Sequence, residues 1–175
     1  MYGPISMCKK SVTLIGMPGC GKSTLGVLLA KARGLRFIDT DLLLQEKHGK
    51  LLWELIEAQG LAAFKQMEAE VILALDGAGA CIATGGSAVY SDAAMRHLKQ
   101  LSKVVFIDLP CTEIEKRIAD IRSRGVVIDR GKTLPELFAE RRPLYLQYAD
   151  IIVDANGLGT EELLEKIVNL TNSDC

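Results

Sequence analysis

The chain has 175 residues, 49% hydrophobic and 25% charged, with a formal net charge of -1. This length suits one domain that buries its own core, and the near-neutral balance excludes the broad basic footprint of a nucleic-acid or anionic-membrane binder. Five cysteines, an odd number with no C-x-x-C pair, speak against a disulfide framework and for a reducing cytoplasm. Neither His48 nor His97 stands at metal-ligand spacing from a cysteine, which argues against a structural zinc site. No apolar stretch reaches the length of a membrane span. The start, "MYGPISMCKKSVTLIG", lacks the basic and apolar regions of a secretory signal, and residues before Lys9 read as a frayed extension.

The first predicted strand is "VTLIG" (12–16), and it runs into "IGMPGCGKST" (15–24). From Gly16 to Ser23 this fits G-x-x-x-x-G-K-[ST]. Gly16, Gly19 and Gly21, with Pro18 and Cys20 between them, let the backbone wrap an anion so that N–H groups point at phosphate oxygens. Lys22 adds a point charge for the terminal phosphates, and Ser23 offers a hydroxyl to Mg²⁺. The following "STLGVLLAKARG" reads as a helix with Leu25, Leu28 and Leu29 on one face. Its positive end, at Ser23 and Thr24, meets the same phosphates. A plain glycine turn is the competing reading, but strand, loop and helix stand in the order that nucleotide binding requires. Cys20, beside a helix N-terminus, is a candidate for a lowered thiol pKa. A small residue tolerated in the loop accounts for it more simply.

The second strand, "LRFID" (35–39), ends in "FIDTDLLLQ", with Asp39 and Asp41 two apart. If the backbone stays extended there, both carboxylates point to the face that the phosphate loop occupies. Phosphoryl transfer needs one carboxylate near Mg²⁺ and one group to orient or deprotonate the attacking hydroxyl. Helix capping is the other use of an aspartate here, and the two are compatible. Further strands are read at "ACIATGG" (80–86), "KVVFIDL" (103–109) and "ADIIVDA" (149–155), with a helix carrying Ile114, Ile118 and Ile121 between the last two. Such alternation implies a parallel sheet covered on both faces, with ligands beyond the carboxyl ends of its strands. "RSRGVVIDRGKT" (122–133) is charged, glycine-punctuated and aperiodic, and reads as a lid. In "ERRPLY", Arg141 and Arg142 are adjacent, so on a helix only one can face a cleft, where it would suit a planar carboxylate. Pro143 lies inside that helical pattern, where it marks a first turn or a bend.

The phosphate loop, "DTD", "AFKQME", "ATGGSAV", "SRGVV" and "ERRPLYLQYAD" follow one another as in the shikimate kinases, which this chain resembles from about Ser11 to Asp154. The resemblance implies an α/β three-layer sandwich: one P-loop kinase domain over 1–175 with a five-stranded parallel sheet in the order 2-3-1-4-5. It also implies a substrate-binding helical segment over about 41–75 and a lid over about 122–132. On this likeness Lys22 neutralises the transferring phosphoryl group, and Ser23 and Asp39 hold Mg²⁺. Asp41 contacts the substrate hydroxyl and acts on its proton, Gly85 and Gly86 let the backbone approach the substrate, and Arg141 grips its carboxylate. Arg124 resembles the lid arginine that reaches over the phosphates, and Arg117 the arginine that stacks on adenine. ATP and Mg²⁺ are the implied cofactors and a small hydroxy acid the partner, with the protein working as a cytoplasmic monomer.

Two positions on the acid-binding side depart from the family pattern. Lys65 in "FKQME" stands where an arginine normally forms a second carboxylate clamp, with Glu68 retained, and Ser87 replaces the third glycine of a triplet. Leu61 also takes the place of an acidic residue. Lysine keeps the charge but loses the planar fork. Three functions follow: phosphorylation of shikimate to shikimate 3-phosphate; the same chemistry on another small hydroxy acid such as homoserine, with Ser87 helping to accept its ammonium; or a non-catalytic nucleotide-binding module. Lys22, Asp39, Asp41 and Arg124 together argue against the last.

Overall fold

The structure, a computed structural model, describes residues 11–76, 78–121 and 131–172. Its elements run β1 (Ser11–Ile15), α1 (Lys22–Arg33), β2 (Arg36–Asp39), α2 (Thr40–His48), α3 (Leu52–Leu73) and β3 (Ala80–Ala83), and then a 3₁₀ turn, Ala88–Tyr90. They continue with α4 (Asp92–Leu101), β4 (Ser102–Asp108), α5 (Cys111–Ile121), α6 (Leu134–Tyr148), β5 (Ile151–Asp154) and α7 (Thr160–Asn172). All pairings in the sheet are parallel and the strand order is β2-β3-β1-β4-β5, as expected. The frayed extension before Lys9 and the segment 122–130, with Arg124, lie outside the described residues.

β1 and β3 are buried along their whole length, which is why they read as unbroken apolar runs rather than alternating ones. Leu14, Ile82, Phe106 and Ile107 form the middle of the core, and helices cover it from both faces with Leu29, Ile72, Leu98, Ile114 and Ile167. Full burial of each such side chain stabilises by about 1.5–3 kcal/mol. Hydroxyls on the buried strands find partners: Thr13 Oγ1 lies 2.6 Å from Ser102 Oγ, and Ser11 Oγ accepts from Ala80 N at 3.2 Å.

A second, smaller cluster lies between α2 and α3, made of Leu44, Leu55, Phe64, Met67 and Val71. α3 is broken at Gly60, whose φ of 82° and ψ of 165° interrupt the helix and let Leu61–Leu73 set out in a new direction. On that second part, Phe64, Glu68 and Ile72 share the buried face.

Several sequence readings change, and the fifth strand, read over 149–155, spans only Ile151–Asp154. The third strand ends at Ala83 rather than at 86: Thr84 makes the last backbone bond to β1, and Gly85 turns away from it. Thr84 donates to Leu14 O from both its N–H and its hydroxyl, at 3.3 Å each, and Gly85 N donates to Thr40 Oγ1 at 3.1 Å. The chain is also not extended through Asp41. Helix α2 starts at Thr40, and Asp39 is its N-cap: Oδ1 accepts from Asp41 N at 2.9 Å and Leu42 N at 3.4 Å.

Candidate active site

The loop between β1 and α1 holds its shape through glycines that a side chain would disrupt. Gly19 and Gly21 have φ of 79° and 99°, in the left-handed region, and a Cβ on Gly16 would lie 2.9 Å from both Cys20 Sγ and Ile107 O. Gly21 caps α1 without any side-chain acceptor, so the first N–H groups of the helix face the loop. Lys22 is 8% exposed and donates to Gly16 O and Met17 O at 2.9 Å each, with Cys20 Sγ at 3.8 Å. An ammonium has three donors, so it reaches a phosphate by exchanging one of these partners. Cys20 is buried with its sulfur against Gly16, inside the loop rather than on the side open to a ligand. Ser23 and Thr24 are exposed at the start of α1. Arg117, exposed on α5, brings Nη1 to 3.9 Å from where a Cβ on Gly21 would sit, beside the phosphate loop.

Although the chain turns helical at Thr40, the two aspartates still converge on this loop. Asp39 divides its oxygens, Oδ1 to the α2 amides and Oδ2 to Ser23 Oγ, which donates at 2.6 Å. Burial pushes the Asp41 carboxyl up to about 6; the charge of Asp39 adds to this and that of Lys22 opposes it.

The loop after β3 faces it. A Cβ on Gly85 would overlap Glu68 Oε1 and lie 2.6 Å from Asp41 Oδ1, so a residue without a side chain is what allows those two carboxylates to meet. A Cβ on Gly86 would lie 2.9 Å from Pro18 Cδ and 3.1 Å from Arg141 Nη1. Gly86 is therefore where the phosphate loop, the β3 loop and α6 come together. Glu68 is buried, and burial lifts its carboxyl to about 7, against the hydrogen bond from Ser87 and the charges of Arg141 and Lys65. Ser87 Oγ donates to Glu68 Oε2. Its hydroxyl, expected to face the substrate, is thus turned toward the buried carboxylate.

α6 settles which arginine faces inward. Leu137, Arg141, Tyr145 and Tyr148 recur on its buried face, and Arg141 is 5% exposed. Arg142 points elsewhere and holds Asp108 with a two-pronged contact, Nε at 3.1 Å and Nη2 at 2.7 Å. Pro143 stands inside the helix, which continues through it to Tyr148. Arg141 Nε donates to Tyr90 Oη at 3.1 Å, Tyr90 Oη donates to Glu140 Oε1 at 2.7 Å, and Tyr145 Oη donates to Gly86 O at 2.6 Å. Lys65, half-buried, brings Nζ to 4.1 Å from the centre of the Tyr90 ring.

Lys22, Ser23, Asp39, Asp41, Gly85, Gly86, Ser87, Lys65 and Arg141 thus come together, with Arg117 at the loop's edge. Sequence reading missed Tyr90, Glu140, Tyr145 and Thr40. Thr40 lies inside "DTD", Glu140 and Tyr145 inside "ERRPLYLQYAD" and Tyr90 just past "GGSAV", but each is recruited by a contact between elements distant in the chain.

A phosphate loop set across a glycine contact from a buried cluster of carboxylates and cations, on a parallel sheet of this order, defines a P-loop kinase of a small molecule. Residues 18–172 match the family model described as shikimate kinase. A shikimate kinase of Clostridium botulinum (strain Eklund 17B / Type B) is 40% identical over 164 residues, covering 91% of this chain and 95% of that relative. One from Francisella tularensis subsp. novicida is 33% identical over 162 residues, 90% and 92% of the two chains. The solved shikimate kinase from Acinetobacter baumannii in complex with shikimate superposes with a TM-score of 0.85 at 28% identity, covering 94% of each chain. Thymidylate kinase from Candida albicans shares the fold alone, at 14% identity and a TM-score of 0.63. The chain belongs to the shikimate kinase family.

Proposed function

We propose that this protein transfers the terminal phosphoryl group of ATP to the 3-hydroxyl of shikimate. Family membership supports the reaction, and one observation supports the acid as substrate: Lys65 and Arg141 both stand over the Tyr90 ring, with Arg141 Nη1 beside Gly86. Two cations converging at a cleft suit a carboxylate-bearing molecule. The hydroxyl of Ser87, which would have helped to accept an ammonium, is engaged with Glu68, and this favours shikimate over homoserine.

In this reading Asp41 orients the attacking hydroxyl and takes its proton as the oxygen–phosphorus bond forms and the bond to the leaving ADP oxygen breaks. A carboxyl lifted to about 6 is largely ionised at neutral pH yet basic enough to hold a proton, as a general base must be. Lys22 neutralises charge on the transferring group, while the amides of Gly19, Cys20 and Gly21 and the start of α1 hold the phosphates. Arg117 packs against the nucleotide base.

The donors at Ser23 and Asp39 suit a hard cation: two oxygens already joined by a 2.6 Å hydrogen bond, one of them a carboxylate oxygen not needed by the α2 amides. They would hold Mg²⁺, which when bound neutralises charge between the outer phosphates. Arg124 carries the lid role in this reading. In this reading the protein is a single kinase domain that works as a monomer, with a helical substrate-binding segment over about 41–75. ATP use and free thiols at Cys20, Cys81 and Cys111 suit the cytoplasm.

The test is ADP release from ATP with shikimate, homoserine and no added alcohol. Release that depends on shikimate and stands far above the other two is expected. Release with homoserine alone, or none that depends on an alcohol, refutes the reading.

A further inference from the structure

Tyr90 stands at the end of the 3₁₀ turn Ala88–Tyr90 that follows the β3 loop, and three charged groups converge on it from two helices, α3 and α6. From α3, Lys65 Nζ lies 4.1 Å from the ring centre; from α6, Arg141 Cζ lies 5.2 Å from the same centre. Both are within the range in which a cation is attracted to the face of an aromatic ring. The phenol oxygen also works in both directions, accepting from Arg141 Nε and donating to Glu140 Oε1. Glu140 in turn receives Lys132 Nζ, at the foot of α6.

Two like charges held beside each other repel, and each long side chain gives up rotamer freedom to be there. Something has to hold both in place before an anion arrives. Glu68 lies near both but its carboxyl is lifted by burial, so its proton occupancy changes around neutral pH. Tyr90 offers attraction that does not titrate in that range, since burial and the bond to Glu140 raise its hydroxyl further. Tying Arg141 through Nε leaves its terminal nitrogens for a ligand, one of them already beside Gly86.

Resting on the reading of function above, we infer that Tyr90 is the positioning residue of the substrate-carboxylate clamp, its ring and hydroxyl aligning Lys65 and Arg141. Ring and hydroxyl act on different partners, so they separate by mutation. Tyr90→Phe keeps the ring under Lys65 and loses the tie to Arg141 and Glu140. Tyr90→Leu loses both.

The experiment measures steady-state kinetics for shikimate and for ATP, and shikimate binding by calorimetry, in the unaltered protein, Tyr90→Phe, Tyr90→Leu, Lys65→Met and the double variant Tyr90→Leu/Lys65→Met. Tyr90→Leu is expected to raise KM and Kd for shikimate about ten-fold, with KM for ATP and kcat moved far less. Tyr90→Phe should give about a third of that rise, a partial rescue that a merely structural role would not produce. The double variant should be worse than Lys65→Met by no more than the Tyr90→Phe effect, because the ring acts through the lysine while the hydroxyl acts through Arg141. Shikimate KM within two-fold of normal in Tyr90→Leu, an equal rise in KM for ATP, or fully additive effects in the double variant would overturn the inference alone. An unaltered protein that neither binds nor phosphorylates shikimate would overturn the functional reading, and this inference with it.

Discussion

Glu68→Gln tests whether the pocket beneath Gly85 holds a carboxyl that folding pushes toward its protonated form. In the folded protein Glu68 titrates at about 7 against an ordinary 4.5, chiefly because it is buried. A folded pKa raised in this way means that the protonated form is favoured by folding. Stability is therefore complete below pH 4.5 and is lost as pH rises toward 7. At about 1.4 kcal/mol per pKa unit, the full cost of ionising the group in place is about 3 kcal/mol, most of it incurred between pH 5 and pH 8. Glutamine keeps the shape and carries no charge at any pH. Whatever the amide itself gains or loses against Ser87 is the same across the range, so the change with pH is the measure. Chemical denaturation of both proteins from pH 5 to pH 8 should show the variant gaining about 2 kcal/mol on the parent over that interval. A constant difference, or a variant that falls behind as pH rises, would mean that Glu68 is ionised and well paired in the folded state, and that burial is not the dominant influence.

For Asp41 as proton acceptor, kcat/KM should rise with pH through an acid limb near 6, where the carboxyl becomes ionised, and Asp41→Asn should lower turnover by about 10²–10⁴ while the circular dichroism spectrum is kept; a flat profile or near-normal turnover refutes the role. Lys65→Ala should raise KM for shikimate by one to two orders of magnitude, since a lost charged hydrogen bond costs about 1.5–3 kcal/mol. Lys65→Arg should hold or improve it, because the planar fork binds a carboxylate in two places and stacks on Tyr90 at least as well; if neither substitution moves KM, Lys65 makes no contact with the substrate. Gly85→Ala should abolish turnover, because its methyl would overlap Glu68 Oε1 and crowd Asp41, and normal kinetics would show that the two carboxylates do not meet there in the working enzyme.

What the sequence made legible was whatever depends on neighbours in the chain. Gly16 to Ser23 is contiguous, so its glycines, lysine and hydroxyl announced a phosphate loop, and the buried strands β1 and β3 were readable as short apolar runs. That only one of Arg141 and Arg142 could face the cleft followed from helical geometry alone, although Asp108 as partner of Arg142 did not. Whether "DTD" stays extended or caps a helix was open in the sequence, and the structure takes the second course: Asp39 satisfies the first amides of α2 with one oxygen and Ser23 with the other, so capping and site use coexist in one residue. Tyr90 itself, and the partner of Ser87, were hidden for a different reason. Their meaning depends on Lys65, Glu68, Glu140 and Arg141 arriving from α3 and α6, and no local pattern encodes an encounter between residues 51 apart, such as Tyr90 and Arg141.

The small apolar cluster between α2 and α3 bears on how this enzyme can change over evolutionary time. Leu44, Leu55, Phe64, Met67 and Val71 pack chiefly with one another, while the phosphate loop rests on the large core around the sheet. Amino-acid replacements that reshape the pocket from the side of α3 are absorbed mostly within five side chains, and the machinery for ATP need not adjust to them. Lys65 is carried on that helix between Phe64 and Met67 of the cluster. A library of variants confined to α2 and α3 would therefore explore new acceptor alcohols while leaving the strands that hold the nucleotide side untouched.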